Sequence, residues 1–372
     1  MKVPFLDFKK EADILLDNGL MKDIKEVIRS GHYLFGPKSK LLEEKLSERF
    51  NSNAVLVGSG TDALYLSLRA CGIKSGMRVA VPAISAIPTA AAVKIIGAHP
   101  VYIDVDRETC LIDLTELEIA LETQSINAVI AVHLYGNVVD SFKVKELCLK
   151  HNIPLVEDCA QAFDCVYTGG SGSCKLVGTV GNASAFSFFP TKTLGSLSDA
   201  GLVISNDVQI IQKVKELRFY GQVDKYVMGS ESGINSRADE IQCSILLKKL
   251  EYLDELNERR SDLLIIYNDS FKNISTVKFM EYIDGFRCNP HLFPLFINNR
   301  KVFMRLMAKN DIETMIHYPF TLPSAMANEI KSYPNAEYIS NHIVSIPFNV
   351  WMSNEEIDYV VEKVLEINYE CL

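Results

Sequence analysis

Between residues 54 and 205 the apolar positions fall in seven short β-rich runs: AVLVGSG, RVAVPAI, HPVYIDVD, NAVIAVHLYG, IPLVED, ASAFSFF and GLVISN. Nearly continuous apolar runs of this kind predict strands covered on both faces, as in a mostly parallel sheet. Between them, TDALYLSLRACG, PTAAAVKIIGA, TELEIALETQ and SFKVKELCLKHN repeat apolar residues at helical spacing. The alternation predicts an α/β fold with helices layered on the sheet.

After Asn206 the pattern turns helical, first in VQIIQKVKELRFYG and then in a stretch from Ser236 to about residue 273 that lacks proline and glycine. That stretch predicts one long element linking two domains. Beyond it TVKFMEY, HLFPLFI and TMIHYPF read as strands, and RKVFMRLMAKND and NEEIDYVVEKVLEI as helices. The expected division is a large α/β domain over residues 1–250 and a smaller C-terminal α+β domain over residues 251–372. YTGGSGSCKLVG, rich in glycine and serine, predicts a hairpin or loop.

Composition narrows the function. Of 372 residues 48% are apolar, enough for two cores. With 38 basic against 47 acidic residues the net charge of −9 disfavours a nucleic-acid surface or an electrostatic membrane anchor, so an anionic ligand needs a local site. No apolar run reaches the length of a membrane span, and MKVPFLDFKKEAD lacks the features of a signal peptide. The expectation is a cytoplasmic protein. The cysteines lie singly; Cys159, Cys165 and Cys174 come nearest to a cluster, without a histidine close in sequence, so no metal site is expected.

Three junctions carry chemistry. In AVLVGSGTDALYLSL a β-run ends in Gly58-Ser59-Gly60-Thr61 and opens into a helix, where unpaired amides and the Ser59 or Thr61 hydroxyl form a phosphate cradle. A helix merely capped by Thr61 fits the same residues. In IPLVEDCAQAF a buried run ends on Glu157 and Asp158; a carboxylate there can hold a heteroaromatic nitrogen protonated, or simply cap the strand end. In ASAFSFFPTKTLG a strand stops at Pro190 and sets Lys192 on a loop, with Ser187 as filler or as donor to an anion. A lone lysine is usually a solvated surface charge. Together the three meet the needs of pyridoxal phosphate, which are an anchored phosphate, a protonated pyridine and a Schiff-base amine.

At this level the chain resembles the DegT/DnrJ/EryC1/StrS family of sugar aminotransferases, of the aspartate-aminotransferase fold (fold type I of the pyridoxal-phosphate-dependent transferases). VPFLDFKKE, SGHYLFGPKSKLLEEKL, GSGTDALYLSL, HLYGN, VEDCAQA, FSFFPTKTLG, FYGQVDKY, GINSRADEIQ and IHYP carry the likeness over nearly the whole length. The resemblance implies that Lys192 forms the Schiff base and, once freed, shuttles the proton. It places Asp158 on the pyridinium nitrogen and Gln161 beside the ring or its hydroxyl. Gly60, Thr61 and Ser187 would hold the phosphate, with Asn235 supplied by a neighbouring subunit, hence a homodimer. Glutamate would be the amino donor and a keto sugar on a nucleotide diphosphate, dTDP- or UDP-linked, the acceptor. Lys225, Tyr226, His317 and Tyr318 fall in motifs placed near that acceptor. Two departures stand out: Ala86 occupies the place where many members stack an aromatic ring on the cofactor, and FTLPSAMA is shorter than the usual segment after HYP. A subgroup with histidine in place of the lysine dehydrates sugars; Lys192 favours transamination over that reaction and over a regulatory, non-catalytic role.

Overall fold

The computed structural model describes residues 1–168, 174–326 and 331–368. All seven β-rich runs form one sheet, from β1 (Asn53–Val57), β2 (Arg78–Pro82), β3 (His99–Ile103), β4 (Ala128–Val132), β5 (Leu155–Asp158), β6 (Ala183–Ser187) and β7 (Gly201–Ser205). The strand order is β1-β7-β6-β5-β4-β2-β3. β7 runs antiparallel to both of its neighbours, and the other pairings are parallel. Because β1 and β6 both oppose β7, they point the same way. The carboxyl ends of β1, β5 and β6 therefore share one edge of the sheet, where open α/β sheets collect ligands.

Three helices precede the sheet: α1 (Phe8–Asp17), α2 (Leu20–Ser30) and α3 (Pro37–Phe50). Both repeat apolar residues at helical spacing, as in Leu20, Ile24 and Val27, and between them they bury Leu15, Leu20 and Val27. The helices read from periodicity are α4 (Gly60–Ala70), α5 (Ile87–Ile95), α6 (Leu114–Thr123), α7 (Ser141–Lys150) and α8 (Val208–Leu217).

The long stretch from Ser236 is not a single element. It breaks at Glu251 and Tyr252 into α9 (Glu240–Leu250) and α10 (Leu253–Phe271). α9 packs on α2 and α3, whereas α10 contributes Leu263, Tyr267 and Phe271 to a separate core with Phe293, Phe303 and Val360. One straight axis cannot serve both cores. Val3 belongs to that second core as well, so the first residues of the chain pack with its last third.

The second core covers a small antiparallel sheet of β8 (Lys278–Phe279), β9 (Phe293–Phe296) and β10 (Ile343–Ile346). α11 (Arg300–Lys309) and the Asn354–Asn368 helix pack on it. The third strand is IVSI rather than TMIHYPF, which meets β10 through the isolated Met315–Ser345 bridge. Pro319 has no amide hydrogen for a ladder. Of the predicted glycine-rich loop, Lys175–Leu176 pairs with Val166–Tyr167 as a short hairpin, while residues 169–173 lie outside the described set.

Candidate active site

β1 ends at Val57, and α4 begins three residues later with Ser59 as its cap, the hydroxyl accepting from the Asp62 amide at 3.1 Å. The cap is thus Ser59 rather than Thr61, which leaves the Thr61 hydroxyl outside the capping bond. Glycine at position 60 is dictated by packing: a Cβ there would lie 2.6 Å from the Ser187 Cβ. The close approach sets the first amides of α4 beside the end of β6 and brings Gly60 against Ser187. The rim is braced by Ser236, whose hydroxyl accepts from the Gly58 amide at 2.8 Å and donates to Asp62 Oδ2 at 2.7 Å.

Asp158 closes β5 and is buried. Its Oδ2 accepts from Thr89 Oγ1 at 2.8 Å, its Oδ1 from the Ala160 amide at 3.2 Å, and Thr89 Oγ1 also meets Ser85 Oγ at 2.9 Å. Burial raises the Asp158 carboxyl; those hydrogen bonds and the nearby Lys192 charge act against the rise. Lys192 stands half-buried on the turn after β6, its amide bonded to the Phe189 carbonyl at 2.9 Å. Burial pulls its ammonium from the ordinary lysine value to about 8, with Asp158 opposing. A carboxylate thus faces an amine that is partly deprotonated near neutral pH.

Gln161 is held at both ends: Oε1 accepts from the Tyr135 amide at 3.0 Å and Nε2 donates to the Tyr318 hydroxyl at 3.1 Å. Tyr318 stacks on Tyr135 with ring centroids 6.4 Å apart, and the Tyr135 hydroxyl donates to the His317 carbonyl. His317 stacks on Phe5 at 5.7 Å and meets Ser345 Oγ at 3.0 Å. Burial, reinforced by Lys192, takes its imidazole down to about 4. His317 and Tyr318 therefore join Lys192, Asp158 and Gln161. Lys225, Tyr226 and Asn235 are all exposed, the first two at the tip of a hairpin pairing Gln222–Asp224 with Val227–Met228 and Asn235 just before Ser236 on the cradle rim. Ala86 caps α5 without a side-chain bond, while Thr89, three residues on, reaches Asp158.

Residue types alone did not single out Thr89, Tyr135 or the pair His133–Glu157. Glu157 is completely buried next to Asp158 and accepts from Tyr167 Oη at 2.9 Å, the Val180 amide at 3.0 Å, the Gly181 amide at 2.5 Å and His133 Nε2 at 3.3 Å. His133 Nδ1 accepts from the Val139 amide at 3.1 Å, so Nε2 carries the proton toward Glu157. Burial alone would raise the Glu157 carboxyl, but His133 and the Gly181 amide hold it at about 2. The folded value lies below the unfolded one, so this stabilisation is present above pH about 4.5 and fades as the pH falls toward 2. Glu157→Gln is expected to destabilise the fold by roughly 2 kcal/mol, because a side-chain amide cannot accept from all the donors that converge on the carboxylate. Urea unfolding at pH 7 and pH 4 checks it: the difference between variant and wild type shrinks at the lower pH.

Set against known proteins, residues 15–365 match the model of the DegT/DnrJ/EryC1/StrS aminotransferase family. The chain is 35% identical over 367 residues to the erythromycin biosynthesis sensory transduction protein EryC1 of Saccharopolyspora erythraea, covering 97% of this chain and 98% of that one. It is 34% identical over 371 residues to the dTDP-3-amino-3,6-dideoxy-alpha-D-galactopyranose transaminase of Aneurinibacillus thermoaerophilus, covering 99% and 100%. Among solved structures, DesV of S. venezuelae in complex with a ketimine intermediate superposes with a TM-score of 0.92 at 32% identity, over 99% of this chain and 98% of that one.

Proposed function

This chain belongs to the DegT/DnrJ/EryC1/StrS aminotransferase family, and from that premise we propose that it transfers an amino group from glutamate to a dTDP- or UDP-linked keto sugar with pyridoxal phosphate as cofactor. The observation that carries the reading is the opposition of Lys192, with its lowered ammonium, to the buried Asp158 carboxylate beside the Gly60–Ser187 contact. The donor set fits the cofactor: helix amides and hydroxyls for a phosphate, a carboxylate for a ring nitrogen and an amine for an aldehyde. When bound, pyridoxal phosphate supplies the electron sink that lets the donor's α-proton leave and keeps its nitrogen for the acceptor.

The chain's own groups do the rest. Gly60, Thr61 and Ser187 anchor the phosphate, with Asn235 of the partner subunit completing the cradle. Asp158, fixed by Thr89 and the Ala160 amide, keeps the ring nitrogen protonated by opposite charge. Gln161, locked between Tyr135 and Tyr318, would lie beside the ring or its hydroxyl. Lys192 would hold the aldehyde carbon and, as a free amine, would take the proton from the donor's α-carbon and deliver it to the former aldehyde carbon. His317 and Tyr318 line the acceptor side from within the chain. Lys225 and Tyr226 reach the acceptor from the exposed hairpin, where Tyr226 is 83% exposed and Met228 52% exposed. A homodimer with shared sites covers these apolar groups. The large domain ends near residue 250 and the small one begins at α10.

Two results follow. The apo protein should combine with pyridoxal phosphate at a rate that rises with pH to a midpoint near 8, because the neutral amine attacks and burial has lowered Lys192 to that value; stopped-flow absorbance across pH measures it, and a midpoint near 10 contradicts it. Mixing Lys192→Ala with Asn235→Ala subunits, each impaired alone, should restore part of the amino transfer through hybrid dimers. Failure to restore it, with mixed dimers verified by native mass spectrometry, would falsify the shared site.

A further inference from the structure

Beside Lys192 lies a cavity of about 60 Å³ between α1, α9, α10 and the Phe348–Trp351 segment, lined among others by Asp7, Glu11, Lys249, Arg260 and His291. Charge is unevenly settled there. Lys249 Nζ pairs with Glu11 at 2.6 Å, and Asp7 Oδ1 is taken by the Lys10 amide as the cap of α1. Arg260, only 7% exposed, donates to Asn257 Oδ1 at 2.7 Å, and among the described residues no carboxylate oxygen lies within ion-pair distance of it. Asp164, the carboxylate nearest in effect, is already bonded by Arg49 Nε and Nη2 and by Asn257. His291 is 8% exposed and its buried Nδ1 has no hydrogen-bond partner.

A buried guanidinium without a counter-charge is unfavourable, and a buried unpaired ring nitrogen adds to the deficit. Both are met by an anion that accepts hydrogen bonds. Burial brings Arg260 to about 10, still charged at neutral pH, while burial and the surrounding Lys192 and Arg260 charges keep His291 neutral, free to donate from Nδ1. The volume equals roughly two waters at about 30 Å³ each, room for a carboxylate but not for a sugar nucleotide.

We infer that this cavity receives a carboxylate of the amino donor, held by the Arg260 guanidinium and His291 Nδ1, next to the amine that exchanges with the donor's nitrogen. The inference rests on the amino-transfer reading above and assigns donor recognition to α10 and the start of β9's segment, away from the exposed hairpin that serves the acceptor.

The test uses the cofactor-loaded dimer. Glutamate half-saturation is measured in steady state, and binding of glutarate, a dicarboxylate with no amine to transfer, by calorimetry. Arg260→Met is expected to weaken both about tenfold to a hundredfold, as for loss of a hydrogen bond to a charged group, with kcat little changed. Arg260→Lys recovers part of the loss, and His291→Phe weakens both as well. If folded Arg260→Met leaves both constants unchanged and lowers only the thermal midpoint, Arg260 merely supports Asn257 Oδ1, which also accepts from Asn289 Nδ2 at 2.9 Å, and the inference is wrong. Should Arg260→Met fail to fold, unchanged constants in Arg260→Lys and His291→Phe overturn it equally. Wild type that binds glutarate through Arg260 yet turns over no amino donor keeps the carboxylate site and removes the amino-transfer reading instead.

Discussion

Lys192→Ala is expected to lower amino transfer by about 10⁴-fold or more, because one side chain supplies both the amine that holds the cofactor and the base that moves the α-proton. The fold should survive. Lys192 sits on a turn held through its backbone amide to Phe189, and its half-buried side chain carries a proton that burial disfavours. Removing it therefore takes away a destabilised charge rather than a structural one. Steady-state rates with glutamate and a keto-sugar nucleotide, alongside thermal unfolding of the same preparations, check both halves. A variant within tenfold of wild type would show that the proton moves elsewhere, and a collapsed variant would show that Lys192 is structural.

Asp158→Asn is the second large effect, a fall in kcat of about 10²- to 10³-fold, the scale of removing one preorganised electrostatic partner. The substitution is nearly isosteric, and an asparagine oxygen can still accept from Thr89 Oγ1 and the Ala160 amide, so geometry is kept while charge is lost. Without the negative charge a ring nitrogen loses its reason to stay protonated. The measurement is kcat at saturating cofactor; Thr89→Val, which leaves the charge and removes one of its two supports, should fall between wild type and Asp158→Asn. Equal rates for wild type and Asp158→Asn would place the ring nitrogen elsewhere.

The seven strands of the main sheet were legible because fully covered strands are written as apolar runs and their helices as amphipathic repeats. Lys192, Asp158, Gly60 and Ser187 stood out at the junctions they occupy, where a strand ends on a residue that a core would not choose, whereas Gln161 came only with the family resemblance. The break at Glu251–Tyr252 left no glycine or proline to mark it, since it answers to two cores that meet only in three dimensions. The strand Ile343–Ile346 is hidden because the helix Pro334–His342 runs straight into it. Thr89, Arg260 and His291 escaped for a related reason. Each is an ordinary residue in its local segment, and only the packing of distant elements brings Thr89 to Asp158 and sets Arg260 and His291 around one cavity.

The most direct test of the central claim is the visible spectrum of the purified protein with pyridoxal phosphate, recorded before and after glutamate, beside Lys192→Ala. The account predicts that wild type shows the absorbance of a protein-bound Schiff base, that glutamate converts it to that of the pyridoxamine form, and that the variant cannot cycle. Bound cofactor whose spectrum no donor amino acid changes would contradict it, leaving a relative that dehydrates sugars or catalyses nothing.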